Sequence, residues 1–165
     1  MLAHSNSCQY ISMPDLCDQL IELLGKPGIN SDVLKRLTQD IGETPVHHDT
    51  HPRLWFYDFP QSGIILDFDS KHQMFTAVTL FISIVPDENG DLGPGRPYSG
   101  NLPFGINKSD TFEEVEAKLP GGATTVKDYR FHADLRPLIV QFHFKPGRTE
   151  SKMLFVSVDY LRSGH

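Results

Sequence analysis

Three stretches of alternating apolar and polar residues, rich in β-branched and aromatic side chains, constrain the fold of this chain most. They are RLWFYDF (53–59), GIILDFD (63–69) and QMFTAVTLFISIV (73–85), and the turn-forming segments PQSG and DSKH separate them. Alternation with a period of two is typical of strands that bury one face, and short polar turns join antiparallel neighbours. The sequence therefore predicts an antiparallel meander of three strands.

Helices are predicted on both sides of this meander, where the apolar residues recur at helical spacing. Two of them come before it, the first with Ser12 as its N-cap and the second capped by Asn30 or Ser31. The third helix, DTFEEVEAKL, follows the meander and is predicted to begin after a cap at Ser109. Small polar residues at these positions accept hydrogen bonds from the first free amides of a helix.

A second set of three strands follows the third helix. It is predicted at KDYRFHADL (127–135), PLIVQFHFK (137–145) and KMLFVSVDYL (152–161). The order of helix and three strands thus occurs twice, which indicates a divergent internal duplication. The predicted fold class is α+β, with two tandem α(α)βββ repeats that form an antiparallel sheet of roughly six strands and helices on one face.

The chain of 165 residues is long enough for one domain with a sizeable core. The predicted divisions are a flexible lead-in at 1–12, a first repeat at 13–85, a linker rich in proline and glycine at 86–108, and a second repeat at 109–161, all in one compact domain.

The outward face of the predicted sheet carries both apolar and polar side chains. In one strand Ile139, Gln141 and His143 share that face, and in another Ile65 alternates with Asp67 and Asp69. A mixed face of this kind is typical of protein contact surfaces. The edge strands of such a sheet also allow a homodimer.

Charge and composition limit the classes of partner. The formal net charge is −6, and an acidic chain is unsuited to nucleic acid, whereas a basic protein partner would complement it. No stretch approaches the length of a membrane-spanning helix, and neither a basic segment nor an apolar run marks the beginning of the chain, so a cytoplasmic protein is expected. Cys8 and Cys17 have no metal-type spacing, and free thiols are expected.

Candidates for catalysis are few. His47, His48 and His51 surround Asp49 in what is interpreted as a polar turn, and they are weak candidates for a metal site. Asp67 and Asp69 are spaced like a carboxylate pair, although a solvated strand end is the preferred interpretation. Motifs for a nucleophile or a nucleotide are missing from the sequence, so neither a catalytic residue nor a cofactor is predicted.

A resemblance to a known class of proteins rests on the segment YSGNLPFGINKSDTFEEVEAKL and on the YRF and LIVQFHF strands after it. This series resembles bacterial immunity proteins, which neutralise secreted toxins. The tandem arrangement of helix and three strands is also similar to that of β-lactamase inhibitor protein. The resemblance implies a non-enzymatic protein that binds a cognate toxin and occludes its active site.

Two sets of residues are candidates for contacts with such a toxin. Acidic groups would meet a basic surface of the toxin, and aromatic side chains would act as anchors. The acidic set is Asp67, Asp69, Asp87, Glu88 and Asp91, and the aromatic set is Trp55, Tyr57, Tyr98 and Tyr129. A small metal-dependent hydrolase that uses the histidine cluster, and a scaffold module without catalytic activity, remain as alternatives.

Overall fold

The structure is a computed structural model that describes residues 15–27, 32–83, 95–119, 124–125, 130–145 and 153–161. These residues form three α-helices, α1 (Leu16–Leu23), α2 (Asp32–Ile41) and α3 (Phe112–Lys118), and a 3-10 helix at Pro103–Gly105. The strands are β1 (Val46–His51), β2 (Leu54–Phe59), β3 (Ile64–Asp69), β4 (Met74–Phe81), β5 (Thr124–Thr125), β6 (Arg130–Leu135), β7 (Leu138–Phe144) and β8 (Met153–Tyr160).

The strands pair antiparallel in a single sheet, in the order β1-β2-β3-β4-β8-β7-β6-β5. This confirms the predicted α+β class and antiparallel sheet. The predicted number of six strands is wrong, because the described residues form seven strands of six or more residues and the two-residue β5. The last strands of the two halves, β4 and β8, are neighbours. We call their junction the seam, and it runs from the pair Ala77 and Asp159 to the pair Phe81 and Phe155.

The sequence pattern predicts neither β1 nor the two-residue β5. Around His47 and His48 the pattern indicates a polar turn, but the segment pairs with β2, with Val46 opposite Asp58 and His48 opposite Phe56. Its register shifts between His48 and His51, which marks a bulge or irregularity. Pairing with a neighbouring strand satisfies the backbone groups of this polar segment, and that gain outweighs its weak intrinsic preference for strand.

The first two helices end at glycines, as their sequences predict. α1 is followed by Gly25 with φ of +82°, and α2 is followed by Gly42 with φ of +75°. Such positive φ values favour glycine, which has no Cβ. Asp15 caps α1 by accepting a hydrogen bond from the Cys17 amide at 3.2 Å. The predicted cap of α1 at Ser12 is therefore wrong, because the helix begins later and Asp15 caps it. The caps predicted for α2 at Asn30 or Ser31 lie outside the described residues.

α3 begins two residues later than predicted. Its N-cap is Thr111, whose hydroxyl accepts from the Glu114 amide while the Glu114 carboxylate accepts from the Thr111 amide at 2.8 Å. The predicted cap at Ser109 is therefore wrong. Asp110 is the reason, since its buried carboxylate accepts from the Asn107 amide at 2.8 Å and from Lys118, which closes the preceding turn before the helix begins.

One hydrophobic core contains side chains from both halves of the chain. The strands contribute the largest fully buried side chains, among them Phe59, Phe68, Phe75, Phe131 and Phe142, and the helices contribute Leu20, Leu37 and Val115. All these strand residues point to the same side of the sheet, so the described helices pack against that side. In the described residues, no helix is long and apolar enough to cross a membrane.

The segment that leads from Gly95 towards α3 is fastened to the first half of the sheet. The Arg96 amide donates to the Pro60 carbonyl at 2.9 Å, and the Tyr98 amide donates to the Phe81 carbonyl at 2.7 Å. Gly63 lies directly beneath this crossing. A Cβ at Gly63 would contact the Tyr98 nitrogen and would lie 2.7 Å from the Arg96 carbonyl oxygen, so only glycine fits.

The other side of the sheet carries no described helix, and we call it the helix-free face. The side chains on it alternate with the core residues along each strand. The cross-strand pairs place three rows of side chains on this face: Phe81, Phe155, His143 and Arg130; Asp58, Ile65, Thr79, Ser157, Gln141 and His132; and His48, Phe56, Asp67, Ala77, Asp159, Ile139 and Asp134.

Candidate functional site

The histidines of β1 do not converge on one point. His47 lies on the helix side, where its ring stacks on Tyr57 at a centroid distance of 4.7 Å, whereas His48 lies opposite Phe56 on the helix-free face. Adjacent residues of a strand point to opposite faces, so these two imidazoles cannot share an ion. No group of three metal-ligating side chains occurs among the described residues, which do not include the side chain of His51.

Asp67 and Asp69 both lie on the helix-free face, but their surroundings differ. The Asp69 carboxylate accepts a hydrogen bond from the His72 amide at 2.7 Å and contacts His72 Nδ1 at 3.1 Å, so it closes the turn between β3 and β4. Asp67 lies in the middle of the sheet between Phe56 of β2 and Ala77 of β4. Its Oδ1 atom is buried and has no hydrogen-bond partner among the described residues.

A second carboxylate, Asp159, lies across β4 from Asp67. Ala77 pairs with both of them, so Asp67, Ala77 and Asp159 form one row across the seam. Burial, together with the negative charge of Asp159, raises the pKa of Asp67 to about 7. A carboxylate in this position is costly to ionise because it loses water without gaining a cation.

Polar side chains surround Asp159 on its other side. Its Oδ2 accepts hydrogen bonds from Gln141 Nε2 and from Ser157 Oγ, both at 3.2 Å. Burial raises the pKa of Asp159, and these two hydrogen bonds and the nearby His132 oppose that effect. His132 pairs with Gln141, and its Nε2 is buried with no described partner. We call Asp67, Asp159, Gln141, Ser157 and His132 the polar cluster.

Apolar and aromatic side chains flank the polar cluster on the same face. Phe155 packs between Phe81, at a centroid distance of 5.8 Å, and the ring of His143, which stacks on it at 3.9 Å. Burial and the neighbouring Arg130 lower the pKa of His143 to about 4, so this ring is neutral at physiological pH. Phe56 and Ile139 border the two carboxylates directly. The face therefore combines an acidic centre with an apolar margin.

The aromatic residues proposed as anchors lie elsewhere. Trp55 and Tyr57 alternate with Phe56 and therefore lie on the helix side, where both contact the ring of His47. Tyr98 is 4% exposed and packs in the core, and Lys108 Nζ lies 5.3 Å from the centre of its ring. A partner cannot reach Tyr98 in this arrangement. Asp87, Glu88, Asp91 and Tyr129 lie outside the described residues.

The described cysteine has the environment of a core residue. Cys17 is a buried free thiol on α1. Burial and, secondarily, the charges of Asp15 and Asp18 raise its pKa to about 12. A thiol that does not ionise is a poor nucleophile and a poor metal ligand, so the structure gives Cys17 a packing role. Cys8 lies outside the described residues.

Comparisons with protein-family models, with curated proteins and with solved structures find no match to this chain. The candidate site therefore rests on the geometry of the helix-free face.

Proposed function

We propose that this chain is an immunity protein that binds a cognate toxin with a basic surface and blocks the active site of that toxin through its helix-free face. The observation that carries the proposal is the charge of this face. Its described strand residues include five aspartates, Asp58, Asp67, Asp69, Asp134 and Asp159, and a single arginine, Arg130. Asp134 pairs with Arg136 at 3.1 Å, and Asp67, whose pKa is raised to about 7, is only partly ionised at neutral pH. An acidic face of this kind attracts a basic partner and accelerates the encounter with it.

The size of the face fits a specific protein interface. The seven longer strands, spaced about 4.8 Å apart and about six residues long, cover roughly 29 by 20 Å, or about 600 Å² in projection. A standard interface buries about 800 Å² on each partner. One face of the sheet is therefore of the same order of size as one side of a standard interface.

The apolar margin of the face supplies candidates for affinity. Phe56, Phe81 and Phe155 lie on the helix-free face, and large aromatic side chains at the centre of an interface contribute most of the binding energy. These residues replace Trp55, Tyr57 and Tyr98, which lie on the helix side or in the core. The carboxylates then fix the orientation and the choice of partner.

The internal duplication belongs to the same proposal. In each half a helix precedes a meander, and the last strands of the two meanders meet at the seam. Two copies of one unit joined at their last strands account for this order. A duplicated unit gives a continuous sheet about twice as wide as one unit, and with it a correspondingly wider binding face.

The proposal predicts that a neighbouring gene encodes the toxin, and the test is direct binding to the domain of that toxin, purified in a catalytically inactive form and titrated by calorimetry. We expect a dissociation constant below 1 micromolar that rises with added salt, since charge attraction contributes to binding. The variant Asp134→Lys reverses a charge on the helix-free face. We expect it to weaken binding by about tenfold or more, the coupling measured for close charge pairs across interfaces.

The matched control is Glu113→Lys, which reverses an exposed charge on α3, on the other side of the molecule. We expect it to leave the dissociation constant within about twofold, because exposed charges outside an interface contribute little. A pair that fails to bind at micromolar concentration would contradict the immunity function. Equal weakening by both variants would contradict the assignment of the helix-free face.

A further inference from the structure

Asp67 and Asp159 occupy a special place in the sheet because they flank the seam. Asp67 belongs to the first half of the sheet and Asp159 to the second, and Ala77 of β4 lies between them. Two strand spacings separate their Cα atoms, about 10 Å. The small side chain of Ala77 places no bulk between the two carboxyl groups. The charges of these two residues therefore act across the junction of the two halves.

Neither carboxyl group forms an ion pair within the described residues, since the ion pairs there involve other side chains. His132 is the group that favours the ionised form of Asp159 through its charge. Other titratable or charged groups face the pair from the neighbouring strands. They are His48 of β1, Asp58 of β2, Asp69 of β3, and His132 and Asp134 of β6. Arg130 of β6 and His143 of β7 lie further along the same face, and the described residues of β4 contribute none. Most of these groups are acidic or neutral.

The two carboxyl groups differ in the hydrogen bonds that they accept. Asp159 receives two donors, from Gln141 and Ser157, which stabilise its ionised form. Asp67 has a buried Oδ1 without a described donor, so its ionised form is not compensated. Two carboxyl groups that lack a counter-charge and share a poorly hydrated site do not both ionise readily. The proton is then expected mainly on Asp67.

We propose that Asp67 and Asp159 form a proton-dependent switch at the seam: the pair retains one proton near neutral pH, and release of this proton to the solvent weakens the junction of β4 and β8. The inference is independent of the proposed binding partner, because it concerns the free protein.

The expected effect on stability follows from the direction of the pKa change. The pKa of Asp67 rises from its ordinary value of 3.8 to about 7, so between these values the folded protein holds a proton that the unfolded chain has lost. The unfolding equilibrium constant then increases about tenfold for each pH unit in this window. The stabilisation from the proton is complete below pH 4 and is lost as the pH rises through 7.

His143 has the opposite effect over nearly the same range. Its pKa falls from 6.5 to about 4, so in this interval the unfolded chain binds a proton that the folded protein does not. Stability due to His143 therefore increases with pH and offsets the loss due to Asp67. Only a comparison of the wild type with an Asp67 variant separates the two contributions.

The experiment combines a titration with a stability measurement. Carbon-13 NMR of the aspartate carboxyl groups in the wild-type protein, from pH 3 to 9, is expected to show that Asp67 and Asp159 titrate together, with one step near pH 7. In urea unfolding, the ratio of the wild-type to the Asp67→Asn unfolding constant is expected to rise about tenfold per pH unit between pH 4 and 7. Asparagine has nearly the shape of the protonated carboxyl group but cannot ionise, so the pH dependence due to Asp67 is absent from the variant.

Asp134→Asn is the matched control, because Asp134 lies on the same face and its partner Arg136 keeps its charge at every pH used. Loss of that ion pair is expected to change the unfolding constant by a factor that stays the same between pH 5 and 7. Amide exchange in β4 and β8, corrected for intrinsic rates, is expected to accelerate more than that in β2 when the pH is raised from 6 to 8. The switch would be overturned if both Asp67 and Asp159 titrated below pH 5, a result that needs no variant. Equal acceleration in all three strands would overturn the assignment to the seam.

Discussion

Neighbouring side chains decide the chemistry of two aspartates that lie only two residues apart on β3. Asp69 closes a turn through the backbone and ring of His72, and its carboxylate has the donors that an ionised group needs. Asp67 points to the same face, but it lies between Phe56 and Ala77, and burial raises its pKa to about 7. The same residue type is thus a structural cap in one position and a titrating group in the other.

At the residue scale, Gly63 gives a sharp prediction about stability. We expect Gly63→Ala to lower the free energy of unfolding by 3 kcal/mol or more, roughly the combined cost of a strained φ and of a backbone collision. Its φ is +67°, and the new Cβ would lie 2.7 Å from the Arg96 carbonyl oxygen and 2.8 Å from the Pro97 carbonyl carbon. Urea unfolding measures the change.

Gly42→Ala is the control for this prediction. Gly42 has a similar φ of +75°, but no atom lies within 4 Å of the position that a Cβ would occupy. The variant is therefore expected to lose only the free energy of the strained backbone conformation, about 1 kcal/mol. Similar losses of unfolding free energy in the two variants would show that the segment from Arg96 to Tyr98 moves aside at little cost, contrary to the packing described above.

At the scale of a single element, the structure and the sequence pattern place the cap of α3 at different residues. Thr111 and Glu114 exchange hydrogen bonds in a capping box, so we expect Thr111→Ala to lower the free energy of unfolding by about 1 kcal/mol. Ser109 is exposed and lies within the turn from Asn107 to Asp110, so Ser109→Ala is expected to change this free energy by less than about 0.5 kcal/mol. Urea unfolding of both variants tests this. A larger loss of stability in Ser109→Ala than in Thr111→Ala would instead support the cap predicted at Ser109.

The elements predicted correctly are those whose signal is local. Gly25 and Gly42 end helices because their positive φ values need no distant partner, and the periods of β3, β7 and β8 arise from burial of one face. β1 was missed because its polar residues lack the apolar alternation of a strand, and it is a strand because β2 pairs with it. The start of α3 was predicted two residues early because Ser109 is also a residue type that favours a cap, and only the contacts of Asp110 with Asn107 and Lys118 place Ser109 in the preceding turn.

At the scale of the whole molecule, the shared core predicts cooperative unfolding. The chain contains a single tryptophan, Trp55, which lies in the first half and contacts His47. Far-UV circular dichroism reports on both halves. Because core side chains of both halves pack together, we expect the fluorescence and dichroism transitions in urea to coincide within about 0.2 M. Separate midpoints would show that the halves unfold independently, and Val78→Ala at the seam would then leave the second half unaffected.

The polar cluster illustrates what a sequence cannot predict at this scale. Asp67 and Asp159 are separated by 91 residues, and each alone has the pattern of an ordinary solvated strand residue. Their proximity depends on the order of the strands, with β4 between β3 and β8. The period of a strand predicts which face each residue lies on, but not which strand lies beside it. From the sequence, Asp67 could therefore be grouped only with Asp69, and nothing in the pattern indicated Asp159 or His132.

The crossing at Gly63 has a consequence for how this molecule tolerates change in length. The chain is held at Ser83, whose amide donates to Leu154 and whose hydroxyl donates to Met153, and it is held again at Arg96 and Tyr98. Residues added between these two anchorages leave both in place. Doubling the length of a closed loop costs only about 0.6 kcal/mol. Because Ser83, Arg96 and Tyr98 are each fixed to the sheet by their own hydrogen bonds, we expect the sheet to tolerate a change in the number of residues that connect them.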